Sequence, residues 1–242
     1  MTLTASLFND TGLWRARDLN GRQAAPYDPS RSTGFPQLDE LLINGGWPRA
    51  ALVEILCDRY GVGELRLLAS GLTRPAKDAH WTVLINPPCV PYAPAFQALG
   101  INVHELMVVH PSSHQEALWS FEEVIVSGST RTVLAWLSES DLQDKQLRRI
   151  QAKSKEHKVF SVLFRPLSAE QLPSAAELRL KIERQTIDRK LVLSIIKRRG
   201  GWRVDDLELD LPWGPTATDS QRTCQLLADW ERTRRDMKAV TV

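Results

Sequence analysis

The chain has 242 residues, 43% of them hydrophobic and 25% charged, with a formal net charge of +2. That balance fits one sizeable globular domain with or without appendages, and excludes a chain too polar to bury a core. With no apolar run of the roughly 18 residues a membrane helix needs, no signal peptide in MTLTASLFNDTGLW and only three scattered cysteines (Cys57, Cys89, Cys224), a cytoplasmic protein without a membrane partner is expected.

In chain order, residues 1–27 read as a polar arm whose apolar anchors are Leu7, Phe8, Leu13 and Trp14. Residues 29–48 read as a turn and a short helix presenting Leu38, Leu41 and Leu42, broken at Gly45-Gly46. Strands over 52–56, 82–85 and 105–109 alternate with helices over 64–72, 94–99 and 113–127. A strand over 132–137, a basic helix over 142–156 and a strand over 159–164 continue the alternation. Residues 177–185, 191–198 and 201–209 then read as consecutive antiparallel strands, with Gly200-Gly201 as a hairpin turn. Alternation followed by a meander predicts an α/β fold, a parallel sheet extended by C-terminal antiparallel strands. The core is expected over residues 28–215. Residues 216–242 read as a basic amphipathic tail, in which Asp219 or Ser220 caps a helix bearing Leu226, Leu227 and Trp230.

The charge is unevenly divided. Residues 1–144 carry ten Lys and Arg against sixteen Asp and Glu, and residues 145–242 carry twenty-one against thirteen. The second half is therefore net +8, which fits an acidic or nucleic-acid partner or simply a solvated basic face.

Residues 51–68, ALVEILCDRYGVGELRLL, have the strand, glycine turn and leucine-rich helix of a phosphate-binding loop. In such a loop backbone N–H groups cradle phosphates and a lysine reaches the outer ones, which requires G-x-x-x-x-G-K-S/T. Here Gly61 and Gly63 are two apart, no lysine follows either, and the first lysine in the chain is Lys77. Glu64 stands where the magnesium-holding hydroxyl or the lysine belongs, and a carboxylate there repels a triphosphate. The degenerate loop of Cys57, Gly61, Val62, Gly63 and Glu64 is therefore expected to bind no cofactor. Glu64 is expected to turn back onto the loop N–H groups, and Cys57 to be a small buried side chain rather than a reactive thiol. Neither a metal site nor catalytic residues are expected. The five histidines are scattered, and no nucleophile elbow or paired carboxylates occur.

The order of elements resembles the RecA recombinase core. Ser32-Thr33-Gly34, Leu38-Asp39, Gly45-Gly46, Pro48 and Val53-Glu54-Ile55 are similar, in order and nearly in spacing, to the approach to the RecA phosphate loop. Ala98-Leu99-Gly100-Ile101, Glu105-Leu106 and Glu116-Ala117-Leu118 resemble the stretch after the second core strand. Arg179-Leu180-Lys181-Ile182 with Arg184 resembles the start of the late antiparallel strands. The likeness spans about residues 30–211. It implies a P-loop NTPase core from which the ATP residues are missing, a pseudo-ATPase. The catalytic glutamate maps near Pro88, and the magnesium-holding aspartate near Trp136. Where RecA-type proteins carry two mobile DNA-contacting loops, only residues 138–141 and 165–173 remain. Phe164-Arg165 stands where a polar residue would sense nucleotide.

Trp14-Arg15, GELRLL at residues 63–68, Trp136-Leu137 and Phe164-Arg165-Pro166 resemble the ImuA family, accessory proteins of SOS-induced translesion synthesis. That resemblance implies three partners: an ImuB-type Y-family polymerase homologue, an error-prone C-family polymerase, and RecA. It also implies a place at the nucleoid during DNA damage. The Trp136-to-Pro166 segment is similar as well to SulA, a division inhibitor that binds the tubulin-like FtsZ. SulA lacks the STG…GG approach and is the alternative.

The cations Lys145, Arg148, Arg149, Lys153, Lys155 and Lys158 read as a solvated face. Lys197, Arg198 and Arg199 beside Trp202 and Arg203, at a hairpin tip, are candidates for DNA or partner contact. Trp14 and Trp213 in the arms, and Trp230 with Arg232, Arg234 and Arg235, are docking candidates. Trp47, Trp81 and Trp136 are expected in the core.

Overall fold

The computed structural model describes residues 32–73, 80–184 and 190–211. A four-residue helix α1 (Pro36–Asp39) precedes β1 (Ala51–Leu56), whose six residues are all buried. A strand buried along its whole length, apolar but for Glu54, belongs in the centre of a sheet covered on both faces. Helix α2 (Glu64–Leu72) follows, then β2 (Trp81–Ile85), α3 (Ala93–Ala98) and β3 (Leu106–Val109). Helix α4 (His114–Val126) starts where Ser113 Oγ accepts the Glu116 N–H at 3.1 Å and Glu116 returns a carboxylate oxygen to the Ser112 N–H at 2.7 Å. After β4 (Thr130–Trp136), helix α5 (Asp144–Glu156) opens with a capping box between Gln143 and Gln146. The remaining strands are β5 (Phe160–Arg165), β6 (Leu178–Arg184), β7 (Leu191–Lys197) and β8 (Val204–Leu209).

The eight strands form one sheet in the order β3-β2-β4-β5-β1-β6-β7-β8. Pairing is parallel from β3 to β6 and antiparallel from β6 to β8. Alternate residues of each strand face opposite sides. Val53, Ile55, Leu134, Trp136, Val162 and Phe164 pack with α2 and Trp47 on one side, while Leu52, Val133, Ala135 and Leu163 pack with α4 and α5 on the other. Glu54 shares the second face and is fully buried within it. The segment 57–63 leaves the C-terminal end of β1, in the middle of the sheet.

The α/β architecture, a mostly parallel sheet extended by antiparallel strands, is the one expected. Three expectations need correction. The strand placed over 105–109 begins only at Leu106, because Val103–Glu105 is a 3-10 turn whose Asn102 side chain accepts the His104 N–H at 3.1 Å. The hairpin turns on Arg199 and Gly200 rather than Gly200-Gly201, since Arg198 bridges Gly201 across the ladder; the next strand then starts at Val204. Trp47 and Trp136 are buried, but Trp81 is 38% exposed. It opens β2 where the register to β4 shifts, short of the covered part of the sheet. The arm of residues 1–27 and the tail of 216–242 lie outside the described residues, with Trp14, Trp213, Trp230, Arg232, Arg234 and Arg235.

Candidate functional site

Segment 57–63 crosses from β1 to α2 with two glycines in left-handed backbone, Gly61 at φ 79° and Gly63 at φ 117°. These conformations turn the N–H groups inward, the geometry of an anion cradle at a helix N-terminus. The occupant is the chain's own carboxylate. Glu64 Oε1 accepts the Gly61 N–H at 3.0 Å and Oε2 accepts the Gly63 N–H at 3.1 Å, and the side chain is almost wholly buried. A negative charge in the first turn of α2 also suits the helix dipole. Gly63, the N-cap, sits at a backbone angle that side chains rarely adopt, and a methyl group there would require Leu211 Cδ1 to move, with Leu191 also in contact range. A lysine at this point would therefore strain the backbone and displace Leu211. Glu64 behaves as expected, while the closure by Leu211 went unforeseen.

Cys57 is buried at the start of the loop, its N–H bonded to the Arg165 carbonyl at 3.0 Å. Burial first, then the charges of Glu64 and Asp58, push its thiol up to about 12. The fold disfavours the thiolate, so this site's stability is complete below the ordinary thiol value of 9.0 and is lost as pH rises beyond it. Cys89 is exposed. In a Cys224→Ser background at pH 8, a disulfide reagent should titrate one thiol in the native protein and a second only after denaturation. Two native thiols would overturn this assignment.

Beside the loop, the position mapped to a magnesium-holding aspartate is Trp136, stacked on Phe164 with ring centroids 4.5 Å apart and planes 8° apart. Asn86 donates from its side chain to the Trp136 carbonyl at 3.2 Å, ahead of Pro87 and Pro88. An aromatic stack and two prolines offer no carboxylate for a cation. Among the described residues, no group of three or more His, Cys, Asp or Glu is placed to hold a metal ion.

A second cluster went unread in the sequence. Glu54 Oε1 accepts from Arg165 at 3.0 Å and from Ser174 Oγ at 2.5 Å, while Oε2 accepts from Arg179 Nε at 2.8 Å. Arg165 also clasps Glu139 through Nε at 2.9 Å and Nη2 at 2.5 Å. Arg179 donates to the carbonyls of Ala169, Glu170 and Leu172 at 2.7–3.3 Å. Although burial opposes its charge, hydrogen bonds to Glu139 and the charges of Glu54 and Glu139 hold the Arg165 guanidinium above its ordinary value. The network ties the turn Glu139–Asp141 after β4 and the turn Leu167–Gln171 after β5 to the central strand. The signal that could have found it was a glutamate inside the apolar run ALVEIL, which needs cationic partners.

The basic face of helix α5 is solvated as expected, with Lys145, Arg148, Arg149, Lys155 and Lys158 exposed and only Lys153 half-buried. Glu122 of α4 receives Arg149 Nε at 2.6 Å and Lys153 Nζ at 2.8 Å, and Arg148 pairs with Asp144 at 2.6 Å. At the hairpin tip Trp202 is 82% exposed and Arg199 is exposed, but Arg198 is turned inward, bonded to the carbonyls of Trp202 at 3.0 Å and of Leu41. Arg203 pairs with Glu170 at 2.8 Å and Asp205 at 2.7 Å. The tip lies at the end of the sheet where the parallel strands begin, opposite the glycine loop. The structure thus does not bring the two groups of candidate residues together.

No family model and no curated protein sequence matches the chain. A crystal structure of SulA from Pseudomonas aeruginosa is similar over 48% of this chain and 98% of that one, at 23% sequence identity and a TM-score of 0.39. No helix among the described residues is long and apolar enough to cross a membrane.

Proposed function

We propose that this protein is a RecA-like pseudo-ATPase of the ImuA kind, a scaffold for SOS-induced translesion synthesis. In this reading it holds an ImuB-type polymerase homologue and an error-prone C-family polymerase, with RecA as a further contact. The observation that carries the reading is the Glu64 carboxylate seated on the N–H groups of Gly61 and Gly63. A triphosphate entering the cradle must expel a buried carboxylate of its own sign from the donors it needs, with no lysine to offset the charge. The strand order, with β1 central and β6 to β8 antiparallel beyond it, supports the RecA-like core. The fastening of both turns after β4 and β5 supports a rigid surface rather than nucleotide-gated loops.

A chain that neither holds nor hydrolyses nucleotide acts through the macromolecules it touches. Titration calorimetry with millimolar magnesium-ATP should give no binding heat. Co-expression with the ImuB-type partner should give a complex that survives gel filtration. A measurable nucleotide affinity would overturn the pseudo-ATPase assignment, and free elution of the two proteins would overturn the scaffold.

A further inference from the structure

The β7–β8 hairpin tip is the feature that the closed loop does not explain. Its indole is 82% exposed, on a backbone that is fastened from below. The Arg198 guanidinium lies under the tip, donating to the Trp202 carbonyl at 3.0 Å and to the Leu41 carbonyl. A methyl group at Gly201 would overlap that guanidinium, and one at Gly200, at φ 74°, would come within 2.8 Å of Ile43 Cδ1. Gly200, in left-handed backbone, suits the turn, and the hairpin seats on the segment before β1 through Arg198 and Ile43. Ile43 is itself 45% exposed beside it. An aromatic ring on a fastened support loses little freedom when it is covered.

The charge at the tip is one-sided. Lys197 donates to the Ser174 carbonyl at 2.8 Å and Arg198 to two carbonyls, acceptors that carry no net charge. Arg199 makes no hydrogen bond or ion pair among the described residues. Arg203, by contrast, is matched by Glu170 and Asp205. Glu177 shares the shallow recess of Arg198 and Arg199, so cations prevail there.

We propose that Ile43, Arg199 and Trp202 form the docking point for a partner-protein segment that presents a carboxylate next to an apolar side chain. The proposal rests on the scaffold reading above and gives that reading a surface. Tryptophan and arginine dominate the energy of protein interfaces when they anchor a small central patch. Nucleic acid fits less well: a single strand needs a track of cations along several nucleotides, and here Arg198 is bonded to carbonyls and Arg203 to carboxylates.

The test uses the full chain and the ImuB-type partner. Trp202→Ala and Arg199→Glu should each weaken the complex about thirtyfold and leave the thermal midpoint unchanged, since both side chains are exposed. Arg199→Glu should also flatten the salt dependence of the affinity. Unchanged affinity in both folded variants would overturn the docking point while leaving the scaffold standing. So would oligo-dT binding that Trp202→Ala abolishes, with the protein complex intact. If the wild-type chain forms no complex, the scaffold falls and this surface falls with it.

Discussion

Glu54→Ala is expected to lower the unfolding free energy by about 3–5 kcal/mol, the largest loss from any single truncation here. The carboxylate is fully buried in β1, and Arg165 and Arg179 beside it are 3% and 5% exposed. Removing it strands two guanidinium ions in a low-dielectric site with one acceptor group gone from each. Arg165 retains Glu139, and Arg179 retains only carbonyl oxygens. Against a total stability of about 5–15 kcal/mol, such a loss moves the domain close to unfolding at ambient temperature. Urea titration followed by tryptophan fluorescence reads it as a shift in midpoint. Replacing the trio together, Glu54→Leu with Arg165→Met and Arg179→Met, should recover much of the loss, because apolar packing avoids the desolvation of charge. A drop below about 1 kcal/mol for Glu54→Ala would mean that water reaches the site.

The network explains more than stability. The turn after β4 stands at the same sheet edge as the glycine loop, where open α/β sheets bind ligands, whereas the turn after β5 lies along β6 and reaches Arg203 of the hairpin tip through Glu170. Each is clamped to β1 through one arginine. Arg165 joins Glu54 to Glu139, and Arg179 joins Glu54 to the carbonyls of 169–172. Neither turn can move without breaking charge-assisted bonds in a dry interior.

Much of this fold was legible from periodicity. Helix α2 falls where its leucine spacing put it, and β1, β5 and β7 fall within a residue or two of their apolar runs. Glu64 was readable because a helix start prefers a carboxylate and the loop had lost its own cation. The rest depends on contacts between distant positions. Glu54 lies 111 residues from Arg165 and 125 from Arg179, and only the placement of β1 between β5 and β6 joins them. Leu211 meets Gly63 only because β8 ends beside the loop. Arg198 turns inward because the carbonyls of Trp202 and of Leu41, 157 residues away, accept its donors, a contact that only the folded hairpin makes.

Gly63→Lys, which writes the missing lysine back, is expected to damage the loop rather than revive it. The residue sits at φ 117°, beyond the region a side chain tolerates, at a cost of about 1–3 kcal/mol. Its β-carbon would also force Leu211 Cδ1 to move, which adds a smaller packing cost. Pairing between the new ammonium and Glu64 offsets little, because that carboxylate already accepts two backbone N–H groups. By comparison Glu64→Ala alone should cost about 0.5–2 kcal/mol, the value of a lost cap. Gly63→Lys combined with Glu64→Thr restores the motif's lysine and hydroxyl on paper, yet leaves the backbone angle and Leu211 as they are. That double variant should unfold at lower urea than the parent and give no heat with magnesium-ATP. If it keeps the parental midpoint and binds nucleotide at micromolar concentration, the cleft is open, and Glu64 is no more than a removable plug in a working site.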